Sequence, residues 1–117
     1  MCGYRQLLLW RQAYALTSQV YGATEGLAGH DQDELTASLR RESLSIAVHI
    51  AVEYSADGKT FLQGLNRARR SVVCVEHLIY LAQYLDYWPV SRTVSLLRQL
   101  ADIRRQLYAF IHTLARE

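Results

Sequence analysis

The sequence predicts an all-α domain, an antiparallel up-down-up-down four-helix bundle. Three observations carry that prediction. In the third apolar segment, Phe61, Leu65, Ala68, Val72, Val75, Ile79 and Ala82 recur at alternating steps of four and three, an a/d seam. In the last segment, Leu96, Leu100, Ile103, Leu107, Phe110 and Leu114 repeat the same steps. Nowhere do apolar and polar residues alternate with the period of two that a half-buried strand needs, and one Pro and six Gly leave few breaks.

Each element follows from period and punctuation. The first helix is expected from Gln6 to Glu25, with Leu9, Ala13, Leu16 and Val20 inward and Trp10, Tyr14, Thr17 and Tyr21 on a parallel line. Gly22, Gly26 and Gly29 weaken its end and open a loop. The second helix is expected to start near Asp31, which with Glu34 three residues on fits a capping box. Leu35, Leu39, Ile46 and Ile50 point one way, and Leu44, Ala47 and Ala51 to an adjacent face, up to Tyr54. From Leu44 to Val52 this helix is apolar nearly all round, as for a helix covered on several sides or lying in a subunit contact. In the third helix the period outweighs the strand preference of Val72, Val73 and Val75, and Trp88-Pro89 is expected to stop it. Ser91 is the expected cap of the fourth helix, whose apolar face Leu97, Tyr108 and Ile111 widen. Short connections place neighbouring helices antiparallel.

Composition bounds the functional classes. A chain of 117 residues is one domain, 1–117, and an apolar share of 50% with 21% charged residues is that of a folded globule. The formal charge of +2 marks neither a polyelectrolyte tail nor, by itself, a nucleic-acid partner. Leu7-Leu8-Leu9-Trp10, closely bracketed by Arg5 and Arg11, is too short for a signal segment or a membrane span. Cys2 lies on a terminus, and Cys74, inside an apolar run, reads as a small core residue. A soluble, reduced, cytoplasmic protein without a membrane partner is expected.

Catalytic and metal constellations are thin. His49 and Glu53 lie one helical turn apart and Glu76 on the next helix, but the paired Glu-x-x-His motifs of a di-iron bundle are absent, as are cysteines spaced for zinc. His49, Glu53, Ser71 and Glu76 are therefore expected to form a buried polar cluster, bonded to one another or across to Arg. Cys74 has no polarising partner in sequence, the serines sit on no strand-to-helix elbow, and no glycine-rich phosphate loop occurs. No metal, no cofactor and no enzymatic activity are expected.

The arginines are the most suggestive group. Twelve of the thirteen basic residues are Arg. Arg40-Arg41, Arg67-Arg69-Arg70 and Arg104-Arg105 form clusters on three helices, the arrangement that phosphate contact needs. Glu42, Glu53, Glu76 and Asp102 are near enough in sequence to pair with them, and Arg is also common at subunit contacts. Tyr80, Tyr84, Tyr87 and Trp88 are expected to plug one end of the bundle.

Three stretches resemble a known family. Leu9-Trp10 with Gln12-Ala13 and Leu16 resembles its opening. Leu35, Leu39-Arg40-Arg41, Ser43, Ser45-Ile46, Ile50-Ala51 and Glu53 resemble its most characteristic motif. Phe61, Leu65, Ala68, Ser71 and Glu76 resemble its third helix. The family is the four-helix-bundle group labelled 23S rRNA intervening-sequence protein, related to the accessory protein of diversity-generating retroelements. Its motif has Asn at the position of His49, Gly at that of Tyr54 and an acidic residue at that of Cys74, so any polar network there is altered. The resemblance implies an antiparallel four-helix bundle and a homo-oligomer, a ring of five subunits. The retroelement relative binds nucleic acid and a reverse transcriptase through a basic oligomer, and carrying that over depends on the arginines, which match at Arg40 and Arg41 only.

A lone bundle that left the second helix's apolar faces wet would expose more than the few hundred Å² usual for monomers, and closed symmetry would cover them. Two functional readings follow: an oligomeric module binding RNA or DNA through its arginines, or a protein-binding scaffold with those arginines in inter-subunit salt bridges.

Overall fold

The computed structural model describes residues 3–26 and 33–116. Among them are four long helices, α1 (Leu8–Glu25), α2 (Glu34–Glu53), α3 (Gly58–Tyr84) and α4 (Val90–Ala115), with a short 3-10 turn at Tyr4–Gln6. No strand occurs among the described residues. The body measures 47 × 22 × 20 Å. Each helix packs on the next, and α1 closes the set against α4.

The heptad lines of the sequence are the core. Leu9, Leu16, Leu39, Ile46, Ile50, Leu65, Ile79, Leu96, Leu100, Ile103 and Leu107 are fully buried. Each such side chain contributes about 1.5–3 kcal/mol by leaving water. Cross-helix pairs run in opposite order along neighbouring helices. Thr17 meets Ser43 and Thr24 meets Arg40, from α1 to α2. Ser45 meets Ser71 and Glu53 meets Arg67, from α2 to α3. Phe61 meets Phe110 and Glu76 meets Arg104, from α3 to α4.

Local chemistry moves several expected boundaries. The Asp31 cap and Gly29 lie outside the described residues; the observed cap of α2 is Asp33, whose carboxylate accepts from the Thr36 N–H at 2.8 Å. Asp57 caps α3, accepting from the Lys59 N–H at 3.0 Å and the Thr60 hydroxyl at 2.8 Å, and these bonds hold its carboxyl below its ordinary value of 3.8. Gly22 lies within α1 rather than in a loop.

Trp88-Pro89 does not end α3. The helix stops at Tyr84 with a Schellman turn: Asp86 takes the left-handed conformation at φ 62°, the Tyr87 N–H bonds to the Ala82 carbonyl and the Asp86 N–H to the Gln83 carbonyl. Nor does Ser91 cap α4. Pro89 occupies the N-cap, its carbonyl accepting from Arg92 at 3.0 Å, and Ser91 is already inside the helix. The end plug is made by two of the four expected aromatics. Trp88 is buried, with its indole N–H on the Thr93 hydroxyl at 3.1 Å. Tyr87 is half-buried and donates to Asp33. Tyr80 and Tyr84 are exposed.

Cys74 also departs from expectation. It is exposed, one position past the exposed Val73, because the buried line of α3 runs through Ser71, Val72 and Val75. Cys2 lies outside the described residues. No helix among the described residues is long and apolar enough to cross a membrane.

Candidate nucleic-acid interface

The seven arginines singled out in sequence divide into engaged and free groups. Arg40 does not face outward. Its Nε donates to the Thr24 hydroxyl at 2.8 Å, and its guanidinium lies over the Tyr21 ring, 5.0 Å from the centroid. It therefore ties α2 to α1, a cation–π contact backed by a hydrogen bond. Arg41 stays on its own helix, near Ser38 at 3.2 Å and Glu42 at 3.7 Å. Arg67 pairs with Glu53 of α2 at 2.7 Å. Arg104 pairs with Glu76 of α3 at 3.2 Å, and Arg105 pairs with Asp102 one turn back. Arg69 and Arg70 have no ion pair or side-chain hydrogen bond among the described residues, and neither does Arg98 on α4.

Charge is distributed unevenly over the bundle. Helix α3 carries Lys59, Arg67, Arg69 and Arg70 against Glu76 alone, and α4 carries Arg92, Arg98, Arg104 and Arg105 against Asp102 alone. Helix α1 balances Arg11 with Glu25, and α2 sets Arg40 and Arg41 against Glu34, Glu42 and Glu53. Helices α3 and α4 together thus hold six surplus positive charges, while α1 and α2 together hold one surplus negative charge. The net charge of +2 hides this separation because Asp31, Asp33, Asp57 and Asp86 lie between the helices.

Between α3 and α4 lies an open cleft of about 510 Å³, lined by Arg69, Arg70, Val73, Cys74 and Tyr108. Tyr108, expected to widen the apolar face, is instead 48% exposed. It follows the buried Leu107 and stands one turn beyond Arg104-Arg105, the sequence signal that could have marked it.

The predicted polar cluster is not one site. Glu53 is committed to Arg67, and the hydroxyls of Ser45 and Ser71 lie 2.7 Å apart, both in the α2–α3 seam. Glu76 lies in the α3–α4 seam with Arg104. His49 is half-buried, with its carbonyl against Gly64. The residues separate because Ser71 and Glu76 are five positions apart on α3 and so occupy different sides of it. Among the described residues, no three His, Cys, Asp or Glu side chains are grouped to hold a metal ion.

On the other half of the bundle, α1 and α2 expose a continuous apolar and aromatic surface. Trp10 stacks on Tyr14 at 4.9 Å and meets the edge of Tyr4 at 5.3 Å. Beside them on α2 stand Leu44 (39% exposed), Val48 (42%) and Val52 (71%). Tyr4, Trp10, Tyr14, Leu44 and Val48 line one shallow groove, and Tyr14, Tyr21 and Leu44 the next. The all-round apolar stretch of α2 is therefore not covered within the subunit.

No curated protein matches the chain. A family model does, over residues 5–109, which takes in the whole of α1 to α3 and most of α4. The helical bundle and that match agree, and the chain belongs to the 23S rRNA-intervening sequence protein family.

Proposed function

We propose that this chain is a non-enzymatic helical module that assembles with copies of itself through its α1–α2 face and binds RNA or DNA through the arginines of α3 and α4. One observation carries the reading: the aromatic and aliphatic grooves of Tyr14, Tyr21, Leu44 and Val48 lie on α1 and α2, whereas the surplus positive charge lies on α3 and α4, which expose apolar side chains of their own. Leu44, Val48 and Val52 with Tyr14 and Tyr21 form a surface suited to a subunit contact. The basic half remains available to solvent when that surface is covered, and each added subunit multiplies its charge. Phosphates are held by such surplus cations, with release of counterions. Glu53, Ser71 and Glu76 are each bonded to a partner in a helix seam. For the scaffold alternative, Glu42, Glu53 and Asp102 each pair with an arginine of the same subunit, which leaves Arg69, Arg70 and Arg98 as the arginines a partner subunit would have to engage.

The test is binding of generic RNA and of duplex DNA, followed by anisotropy over a salt series. Binding that weakens steeply with salt, and that Arg69→Glu with Arg70→Glu lowers at least tenfold without loss of helicity, is the expected result. No binding of either polymer at low salt contradicts the proposal.

A further inference from the structure

We infer that the α3–α4 cleft takes an unpaired base of a single-stranded nucleic acid, stacked on Tyr108, with Arg69 and Arg70 on the adjoining phosphates. This rests on the nucleic-acid reading above and narrows its ligand. The cleft, about 510 Å³, is in the size range of small-ligand sites. Its chemistry is mixed in a particular way. Two guanidinium groups without carboxylate partners stand beside an aromatic ring and an apolar wall, Val73, itself 44% exposed.

The ring is free to stack. Tyr4, Trp10, Tyr14, Tyr54, Phe61 and Phe110 all pack against other rings, whereas Tyr108 meets none among the described residues. A phosphate alone makes no use of an aromatic face or of Val73. A duplex offers phosphates along its length but hides its base faces. A single strand presents both together, one base between flanking phosphates, which is the combination that stacking platforms with basic margins recognise. Every base has such a face, so the site is expected to tolerate any sequence.

The experiment uses the full chain and three labelled probes, an oligothymidylate, an oligouridylate and a mixed-sequence duplex of equal length. Both single strands should bind more tightly than the duplex. Tyr108→Ala should weaken single-strand binding about 5- to 150-fold and leave duplex binding unchanged, while Tyr108→Phe keeps wild-type affinity. Arg69→Ala with Arg70→Ala should reduce the salt slope for single strands by about 1.4, the share of two phosphates. Should Tyr108→Ala fail to fold, Tyr108→Leu tests the same point, since it keeps bulk without an aromatic face. Single-strand affinity unchanged in a folded Tyr108→Ala or Tyr108→Leu variant, or a duplex bound as tightly as the single strands, overturns the inference and leaves the arginine face standing. Failure of all three probes to bind at low salt overturns both.

Discussion

At Gly64 of α3, an added Cβ would lie 2.4 Å from the Glu53 Cβ and 2.8 Å from the His49 carbonyl oxygen, both on α2. The stiff backbone of α2 is the obstacle, so Gly64→Ala must push the two helices apart. Overpacking of this kind costs about 1–3 kcal/mol, which outweighs the helix propensity that Ala gains over Gly, about 1 kcal/mol. A thermal melt should show a Tm several degrees lower, and a Tm at or above wild type would contradict the close approach. Asp86 predicts the opposite sign. It holds φ 62° at the end of α3, where Gly fits without a Cβ penalty and without placing a carboxylate on the helix's negative end. Asp86→Gly should raise stability by about 1 kcal/mol in denaturant unfolding, and a loss would show that its side chain holds the turn. Neither position stands out in sequence. Gly64 sits between the heptad residues Phe61 and Leu65, and its need for smallness arises only from a helix that another part of the chain brings beside it.

Among the elements, the four helices and their buried lines were legible because burial imposes the 3.6-residue period on the sequence itself. The ends were less so. Cap positions depend on which of several acids or hydroxyls the backbone reaches first, and Asp33 and Pro89 took the places for which Asp31 and Ser91 were expected, while Asp57, with no expected cap to displace, opened α3. The arginines were legible as clusters but not as free or engaged. Arg40 matches the family motif yet lies on Tyr21 and Thr24, a pairing between residues sixteen or more apart that no local pattern records. The turn between α3 and α4 joins the cap of α2 through Tyr87 and Asp33. Loss of water around the Tyr87 hydroxyl, and its bond to that carboxylate, push its pKa from 10.0 up to about 12. The folded state thus favours the neutral phenol, so this contribution is whole below pH 10 and is lost as pH rises from 10 towards 12. Unfolding by denaturant across that range should show stability falling in wild type and a flatter dependence in Tyr87→Phe. Equal slopes would remove Tyr87 as the cause.

For the whole molecule, the concentration of positive charge on α3 and α4, away from the grooves of α1 and α2, is the feature that the linear sequence could state only in part. The all-round apolar stretch of α2 announced an uncovered face, but the net charge of +2 concealed the surplus of α3 and α4. The reading stands or falls on the uncovered face. Light scattering on the purified chain at micromolar concentration, beside Leu44→Arg with Val48→Arg, tests it most directly. The account predicts a single assembly several times the 13.4 kDa subunit, reduced to monomer by the two substitutions with helicity retained. A wild-type chain that is monomeric and fully folded at that concentration would contradict it.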